Sequence, residues 1–146
     1  NLLMANEPMP ADELLTDFNT QWNTSNVAKP NLVVVTGNGE PLRFDLNVGD
    51  AVVARNSSFT ETPLGNWTYG NREYTVDLEI WTLRERQRLF NLMQEIRRIC
   101  HSRMHSLTNF QRIQFLNFSE MTSDTVNVWM GTVQIQLVNN DVLLET

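Results

Sequence analysis

The sequence predicts an α+β fold: a mixed, mainly antiparallel sheet with a long helix and an N-terminal helix packed on one face. In the segment 74–81, apolar and polar residues alternate with the period of two that a half-buried strand shows. Directly afterwards the period changes to three and four, which indicates a helix that buries one side. The apolar stripe of this helix consists of Leu89, Leu92, Met93, Ile96, Ile99 and Cys100.

The junction between this strand and this helix also carries a capping signal. Thr82 and Glu85 have the spacing of a capping box, in which each side chain accepts a hydrogen bond from a free amide of the first helical turn. We therefore expect the helix to begin at Thr82, with almost no loop after the strand. The strand and helix together span about Arg72 to Met104.

A first helix is predicted from about Pro10 to Trp22. Pro10 and the acids that follow it suit a first helical turn, and the apolar residues of the segment lie on one face. Residues 1–9 show no periodicity and are predicted to form an N-terminal arm, ahead of a single domain over 10–146. The apolar face of the helix comprises Leu14, Leu15, Phe18 and Trp22.

Two strands are predicted before the central unit. Lys29-Pro30 favours an extended entry into the apolar run 32–35, which is typical of a strand covered on both faces. Gly37 and Gly39 indicate a tight turn, and 47–50 a second turn that leads into a strand over 50–55.

A long loop is predicted over residues 56–71, which are rich in Ser, Thr, Asn and Gly. Loops longer than about 12 residues are usually functional or disordered. Its large apolar side chains favour a hairpin excursion or loop that packs on another surface, although they could equally tuck into the edge of their own domain. These side chains are Phe59, Leu64, Trp67 and Tyr69.

The C-terminal part predicts two more strands. The first covers 110–118 and leads to a polar connection over 120–124. In the last strand the apolar parity changes at Gly131-Thr132, which predicts a β-bulge or kink there. A short tail with Leu143 and Leu144 follows.

Size and composition limit the class of protein. The chain has 146 residues, a hydrophobic fraction of 41% and four Trp, as expected of one folded domain. No apolar run approaches the roughly 18 residues that span a bilayer, and no secretory leader is visible, so we expect a soluble protein. The single cysteine, Cys100, excludes an internal disulfide and is expected to be a buried thiol.

Positive charge is concentrated in the long helix and the turn that follows it. The segment 84–112 holds seven Arg and two acids, whereas the rest of the chain holds four basic and fifteen acidic residues. Arginine suits planar, bidentate partners such as carboxylates and phosphates. This surface is either a solvated helix face or a complement to the acidic body of a neighbouring copy. The arginines that we consider for subunit contacts are Arg84, Arg86, Arg88, Arg97 and Arg98.

Signatures of catalysis or of metal binding are weak. Cys100, His101 and His105 are the only soft ligands that lie together, whereas a structural zinc site needs four. No nucleophile elbow or phosphate-binding loop is present. We therefore expect a protein that is not an enzyme, with no catalytic residue, cofactor or metal. Nucleic-acid binding by the Arg-rich helix remains an alternative.

The order of elements resembles the small head-tail connector proteins of tailed phages and archaeal tailed viruses, above all the tail terminators, also called tail completion proteins. The resemblance covers roughly residues 14–138. The features that carry it are Trp22, Lys29-Pro30, Val76-Asp-Leu-Glu-Ile80, Glu95-Ile-Arg-Arg-Ile99, Ser123-Asp124 and Trp129.

This resemblance implies a virion protein that acts by binding. A tail terminator forms a homo-oligomeric ring, a hexamer in this family, that caps the tail tube and joins it to the head. Its partners would be the tail tube protein and a neck or head-completion protein, with DNA only passing through the lumen and no membrane involved. It would assemble in the host cytoplasm and reside in the tail or neck region. A neck or head-completion protein is the alternative within the same connector.

Overall fold

A computed structural model describes residues 9–34, 45–64, 69–83, 85–122 and 125–142. Several predictions concern residues outside these ranges: most of the N-terminal arm, the turn at Gly37 and Gly39, Trp67, Arg84 and the tail with Leu143 and Leu144. The elements in chain order are α1 (Pro10–Gln21), β1 (Asn31–Val34), β2 (Ala51–Leu64), β3 (Tyr69–Leu83), α2 (Arg86–Ser102), β4 (Arg112–Met121) and β5 (Val128–Val142).

The described strands form one five-stranded sheet in the order β1-β2-β3-β5-β4. β1 runs parallel to β2, and the other neighbours are antiparallel. α1 and α2 cover one face, where their apolar stripes meet inward side chains such as Val52, Leu78 and Ile135 in one core. The predicted α+β class, with its mixed and mainly antiparallel sheet, is confirmed. Neither α1 nor α2 combines the length and the apolar character that crossing a membrane requires.

Both predicted helices are present and bury the predicted faces. α1 begins at Pro10 and ends one residue before the predicted end, and all four residues of its apolar face are buried. The six residues of the α2 stripe are buried as well. Periodic apolar residues locate these helices because each helix has a single face on which to bury them.

The predicted capping box is wrong. Thr82 belongs to β3, and its buried hydroxyl donates to Asp50 Oδ1 at 2.7 Å. Glu85 stands at the N-cap of α2 with extended backbone, and its side chain makes no capping hydrogen bond. β3 extends to Leu83 because it is paired with β5 up to that residue, and the buried Asp50 carboxylate takes the hydroxyl that a cap would have used.

The predicted loop over 56–71 is largely strand. β2 continues to Leu64, β3 begins at Tyr69, and the two pair along this extension after an irregularity between Ala54 and Asn56. β5 pairs with the same part of β3 on its other side. The polar residues are therefore held by backbone pairing on both sides of β3, which the composition does not indicate.

The predicted bulge at Gly131-Thr132 is wrong, since β5 pairs with β3 without interruption. The irregularity lies in β4, between Phe115 and Asn117. The inward-facing residues of β5 therefore have the same parity along the whole strand. Met130 has the other parity and lies on the opposite face of the sheet. Gly131 is needed for a different reason: a Cβ there would stand 2.5 Å from an atom of the Phe118 ring.

The two outer strands of the described sheet also differ from expectation. β1 was predicted to be covered on both faces, but Leu32 and Val33 are only half-buried because β1 has a described neighbour on one side alone. β4 begins and ends later than predicted and reaches Met121.

Candidate interface

Arg86 lies at the start of α2 and makes two contacts within its own chain. Its Nε is 2.9 Å from Glu120 Oε1 at the end of β4. Its guanidinium carbon also lies 5.6 Å from the centroid of the Trp129 ring, in cation–π geometry. The side chain is nevertheless 66% exposed, so one side of the guanidinium remains accessible.

Arg88 joins α2 to the beginning of β2. Its Nε lies 3.0 Å from Asp50 Oδ2, while the other oxygen of Asp50 accepts from Thr82. Because Asp50 is almost fully buried, Arg88 neutralises a charge that the core could not otherwise hold. Arg88 therefore has a structural role within the domain.

Arg98 joins α2 to α1. It donates to both oxygens of Glu95 and to the main-chain oxygen of Gln21, the last at 3.0 Å. Glu95 is 2% exposed and also accepts from the Asn23 amide and the Asn26 side chain, each at 2.8 Å. Burial alone would raise the pKa of the Glu95 carboxyl, but these hydrogen bonds and the charge of Arg98 hold that pKa below its ordinary value.

Arg97 differs from these three arginines. It is exposed on α2, and it makes no hydrogen bond or ion pair within the described ranges. The structure thus divides the arginines that were predicted together: Arg86, Arg88 and Arg98 hold parts of the domain together, and Arg97 points away from it. The remaining candidate, Arg84, lies outside the described residues.

Phe59 is the described aromatic anchor on the β2–β3 hairpin. It is 54% exposed, and its ring packs on Tyr74 with centroids 5.0 Å apart. Tyr74 in turn meets the buried Phe110 edge to face at 5.4 Å. Leu64 and Tyr69 pair at the ends of β2 and β3, although the directions of their side chains and the whole of Trp67 fall outside the description.

A groove between the start of α2 and the end of β4 was not predicted from the sequence. It has a volume of about 360 Å³ and is lined by Leu89, Phe90, Phe118 and the Arg86–Glu120 pair. Phe90 is 45% exposed and lies beside the buried stripe rather than on it. An apolar residue outside the helical spacing of the stripe is the sequence signal that could have identified Phe90.

Cys100, His101 and His105, the soft ligands that lie together in the sequence, are divided between the core and the surface. Burial raises the pKa of the Cys100 thiol to about 12, and the nearby charge of Asp17 adds to this, so the thiol stays protonated at neutral pH. His101 and His105 are exposed. Within the described ranges, no group of three side chains that could hold a metal is found.

The sheet face opposite the helices carries polar side chains on β3, β5 and β4. Asn117 donates to Gln134, which donates to Asp77 at 3.1 Å. Nearby, Glu79 accepts from Arg55 and from the Trp81 indole. The Asn117, Gln134 and Arg55 bonds cross between neighbouring strands, and the Trp81 bond lies within β3; together they engage one oxygen of each carboxylate.

Comparisons with known proteins found likeness in structure but not in sequence. No family model matches the chain, and no curated protein matches it in sequence. Among solved structures, the fold is similar to a chain of the virion of a native gene transfer agent particle. The TM-score is 0.64 at 7% sequence identity, and the match covers 90% of this chain and 94% of the other. At this identity the likeness establishes a shared fold: the chain folds like a component of a virion particle.

Proposed function

We propose that this chain is a structural virion protein of a tailed, phage-like particle and acts by binding rather than by catalysis. The observation that supports it is the likeness to a chain of a gene transfer agent virion, which extends over nearly the whole length of both chains. A match of that extent leaves little of either chain outside the common fold, so the likeness concerns the whole domain.

Within such a particle, we favour the tail terminator: a homo-oligomeric ring, a hexamer in the family, that caps the tail tube and joins it to the head. The order of elements supports this role. In the proposed ring, Arg97, the accessible side of Arg86, and Phe59 are the described side chains that can reach a neighbour without breaking the domain. Arg88 and Arg98 contribute indirectly, by holding α2 in place.

A neck or head-completion protein of the same connector is the alternative. The two roles differ in what fails when the chain is absent. A tube without its terminator has no cap, so we expect tails of irregular length by electron microscopy of particles that lack this chain. Loss of a neck protein would instead leave tails of normal length beside unjoined heads. Normal, infectious particles without the chain would contradict both roles.

Nucleic-acid binding by the Arg-rich helix is less well supported. Three of its arginines already hold carboxylates of their own chain, and the whole protein carries a formal charge of −6. Filter binding at several salt concentrations tests this directly. An affinity that falls with salt at a slope of several charges would favour nucleic acid over the connector role.

A further inference from the structure

The groove at the start of α2 has the features of a receiving surface. Its lining combines the apolar side chains of Leu89, Phe90 and Phe118 with the polar side chains of Gln87, Glu120 and Arg86, the last two paired with each other. The buried indole N–H of Trp129, next to Arg86, has no hydrogen-bond partner among the described residues. Exposed aromatic and arginine side chains around a concave apolar surface are typical of the centre of a protein–protein interface.

A complementary surface lies on the hairpin. Phe59 and Glu61 are two residues apart in β2, after its irregularity, and therefore project from the same face of the strand. Both are exposed. Phe59 is also held by its contact with Tyr74, so little side-chain freedom would be lost on binding. The hairpin thus presents an aromatic ring with an acid beside it.

We propose that Phe59 of one copy inserts into the groove between Phe90 and Phe118 of a second copy, with Glu61 bound to Arg86. The spacing fits: Phe59 and Glu61 are about 6.7 Å apart along an extended strand. Arg86 and Phe90, one helical turn apart, are separated by about 6 Å along the axis. The groove volume of about 360 Å³ also leaves room for a phenyl ring.

The hairpin of the same copy cannot fill the groove. Phe59 connects through Tyr74 to Phe110, which precedes β4, whereas the groove is lined by Phe118 near the end of β4. In the sheet register, the row of Phe59 and Tyr74 meets β4 at Ile113, whereas Phe118 lies opposite Val133, four residues or roughly 13 Å further along β5 and three strands away from β2. The contact therefore joins two different surfaces of two copies, which is the heterologous contact from which rings are built. This inference rests on the proposed function and specifies its subunit contact.

Cross-linking between two single-cysteine variants tests the contact. The only native thiol, Cys100, is buried, so Thr60→Cys in one preparation and Gln87→Cys in another provide the reactive groups beside the contact while leaving Phe59, Arg86 and Phe90 in place. Mixing them with a short bis-maleimide reagent is expected to give a cross-linked pair containing both variants, identified by peptide mass. Thr60→Cys mixed with Thr20→Cys, an exposed position on α1, is the matched control and should not cross-link.

A charge exchange tests the polar half of the contact. Glu61→Arg is expected to weaken self-association, measured by sedimentation, by about tenfold or more, because it places two cations together. The charge-exchanged variant, Glu61→Arg with Arg86→Glu, should regain most of the lost affinity. Both measurements are made with Glu120→Gln in the background, because Glu120 pairs with Arg86 and would otherwise repel the new carboxylate. Phe59→Ala should weaken association by about 30-fold, as loss of a central aromatic anchor does. Circular dichroism of each variant establishes that it is folded.

The outcomes separate this inference from the proposed function. A protein that associates without the cross-link between positions 60 and 87, or a charge-exchanged variant that regains nothing, overturns the inference and leaves the virion role intact. A protein that stays monomeric at every concentration overturns the inference as well. If particles form normally without the chain while the cross-link appears, the virion role fails and the contact between copies stands.

Discussion

The Glu95 carboxylate shows how a single buried charge can organise a small domain. It lies on α2, yet it accepts hydrogen bonds from Asn23 and Asn26 after α1 and from Arg98 one turn further along α2. Since it is almost completely buried, these partners replace the water that the charge has lost. The residue therefore ties the turn that follows α1 to α2.

We expect Glu95→Gln to lower the free energy of unfolding by about 2 kcal/mol at neutral pH, because hydrogen bonds to a charged group are lost. The pKa of Glu95 is lowered on folding, so its contribution is complete above the unfolded pKa of about 4.3 and is lost as pH falls through the lower folded pKa. The difference between wild type and variant should thus be constant above about pH 5 and shrink below about pH 4. Urea titrations across this range measure it.

Glu120→Gln is the matched control, because Glu120 pairs with Arg86 at the surface. Exposed ion pairs contribute little, and we expect a loss of less than about 1 kcal/mol. Equal losses in the two variants would contradict the role of burial at Glu95.

Gly131 permits a close approach between β5 and a side chain of β4. A Cβ at this position would lie 2.5 Å and 2.8 Å from two atoms of the Phe118 ring and 3.2 Å from the main-chain oxygen of Ser119. We expect Gly131→Ala to destabilise the protein by about 1–3 kcal/mol, as overpacking does, and to displace the ring from the groove. Thermal unfolding measures the loss.

Adding Phe118→Leu to Gly131→Ala removes the clashing ring atoms and should recover part of that stability. Gly49→Ala serves as a control, since a Cβ there would meet only Asn31 at an ordinary distance of 3.7 Å. A Gly131→Ala variant as stable as the control would show that the Phe118 ring moves without cost.

At the scale of elements, the beginning of α2 shows how tertiary contacts override a local signal. Thr82 and Glu85 match a capping box in sequence, but pairing with β5 keeps Thr82 in β3, where Asp50 accepts its hydroxyl. Asp50 lies 32 residues away in the chain, so spacing within the helix segment cannot reveal the bond. The helix starts later and relies on the packing of its stripe.

Thr82→Val tests this arrangement because valine keeps the shape and removes the donor. We expect a loss of about 1–2 kcal/mol in the free energy of unfolding with unchanged helical content by circular dichroism. Thr82→Ser should restore most of the stability. A loss of helical signal in Thr82→Val, or in Glu85→Ala, would instead favour the capping box.

The sequence predicts well those elements whose buried residues recur at a regular spacing along the chain. The α2 stripe and the alternation in β3 meet this condition, and both are found where expected. The hairpin extension does not, because its alternating residues are Ser, Thr and Glu, and its pairing depends on β5 at the far end of the chain. The apolar residues of 110–118 do not alternate cleanly, which agrees with the β4 irregularity at Leu116, but the parity change at Gly131-Thr132 pointed to the neighbouring strand instead.

The candidate site was predicted in part for the same reason. Counting arginines in the helix located the basic surface, but their partners lie far away in sequence, such as Glu120 for Arg86 and Asp50 for Arg88. Net charge along a segment therefore overstates the charge left for a partner. Phe59 stands out in the sequence as a large aromatic side chain in a segment rich in Ser, Thr and Asn, whereas its exposure and its strand are visible only in the structure.

At the scale of the whole molecule, the two faces of the sheet differ: one is covered by the helices and the other is polar. The helix layer and the sheet face beneath it form the core, whereas β3, β5 and β4 show the polar ladder of Asp77, Gln134 and Asn117 on the other face. The proposed docking surfaces lie at opposite ends of the domain, on the hairpin and at the start of α2. Such an arrangement lets each copy receive one neighbour and contact another with no change in its own fold.

The long pairing of β3 has a mechanical consequence. β3 is bonded to β2 on one side and to β5 on the other, from Tyr69 to Trp81. A pull on the hairpin along the strand direction moves β2 and β3 together and loads the hydrogen-bond ladder between β3 and β5 in shear, so that many bonds share the force instead of opening one by one. The hairpin is therefore expected to resist such a pull. A force applied at Phe59 would be transmitted along β3 to the start of α2.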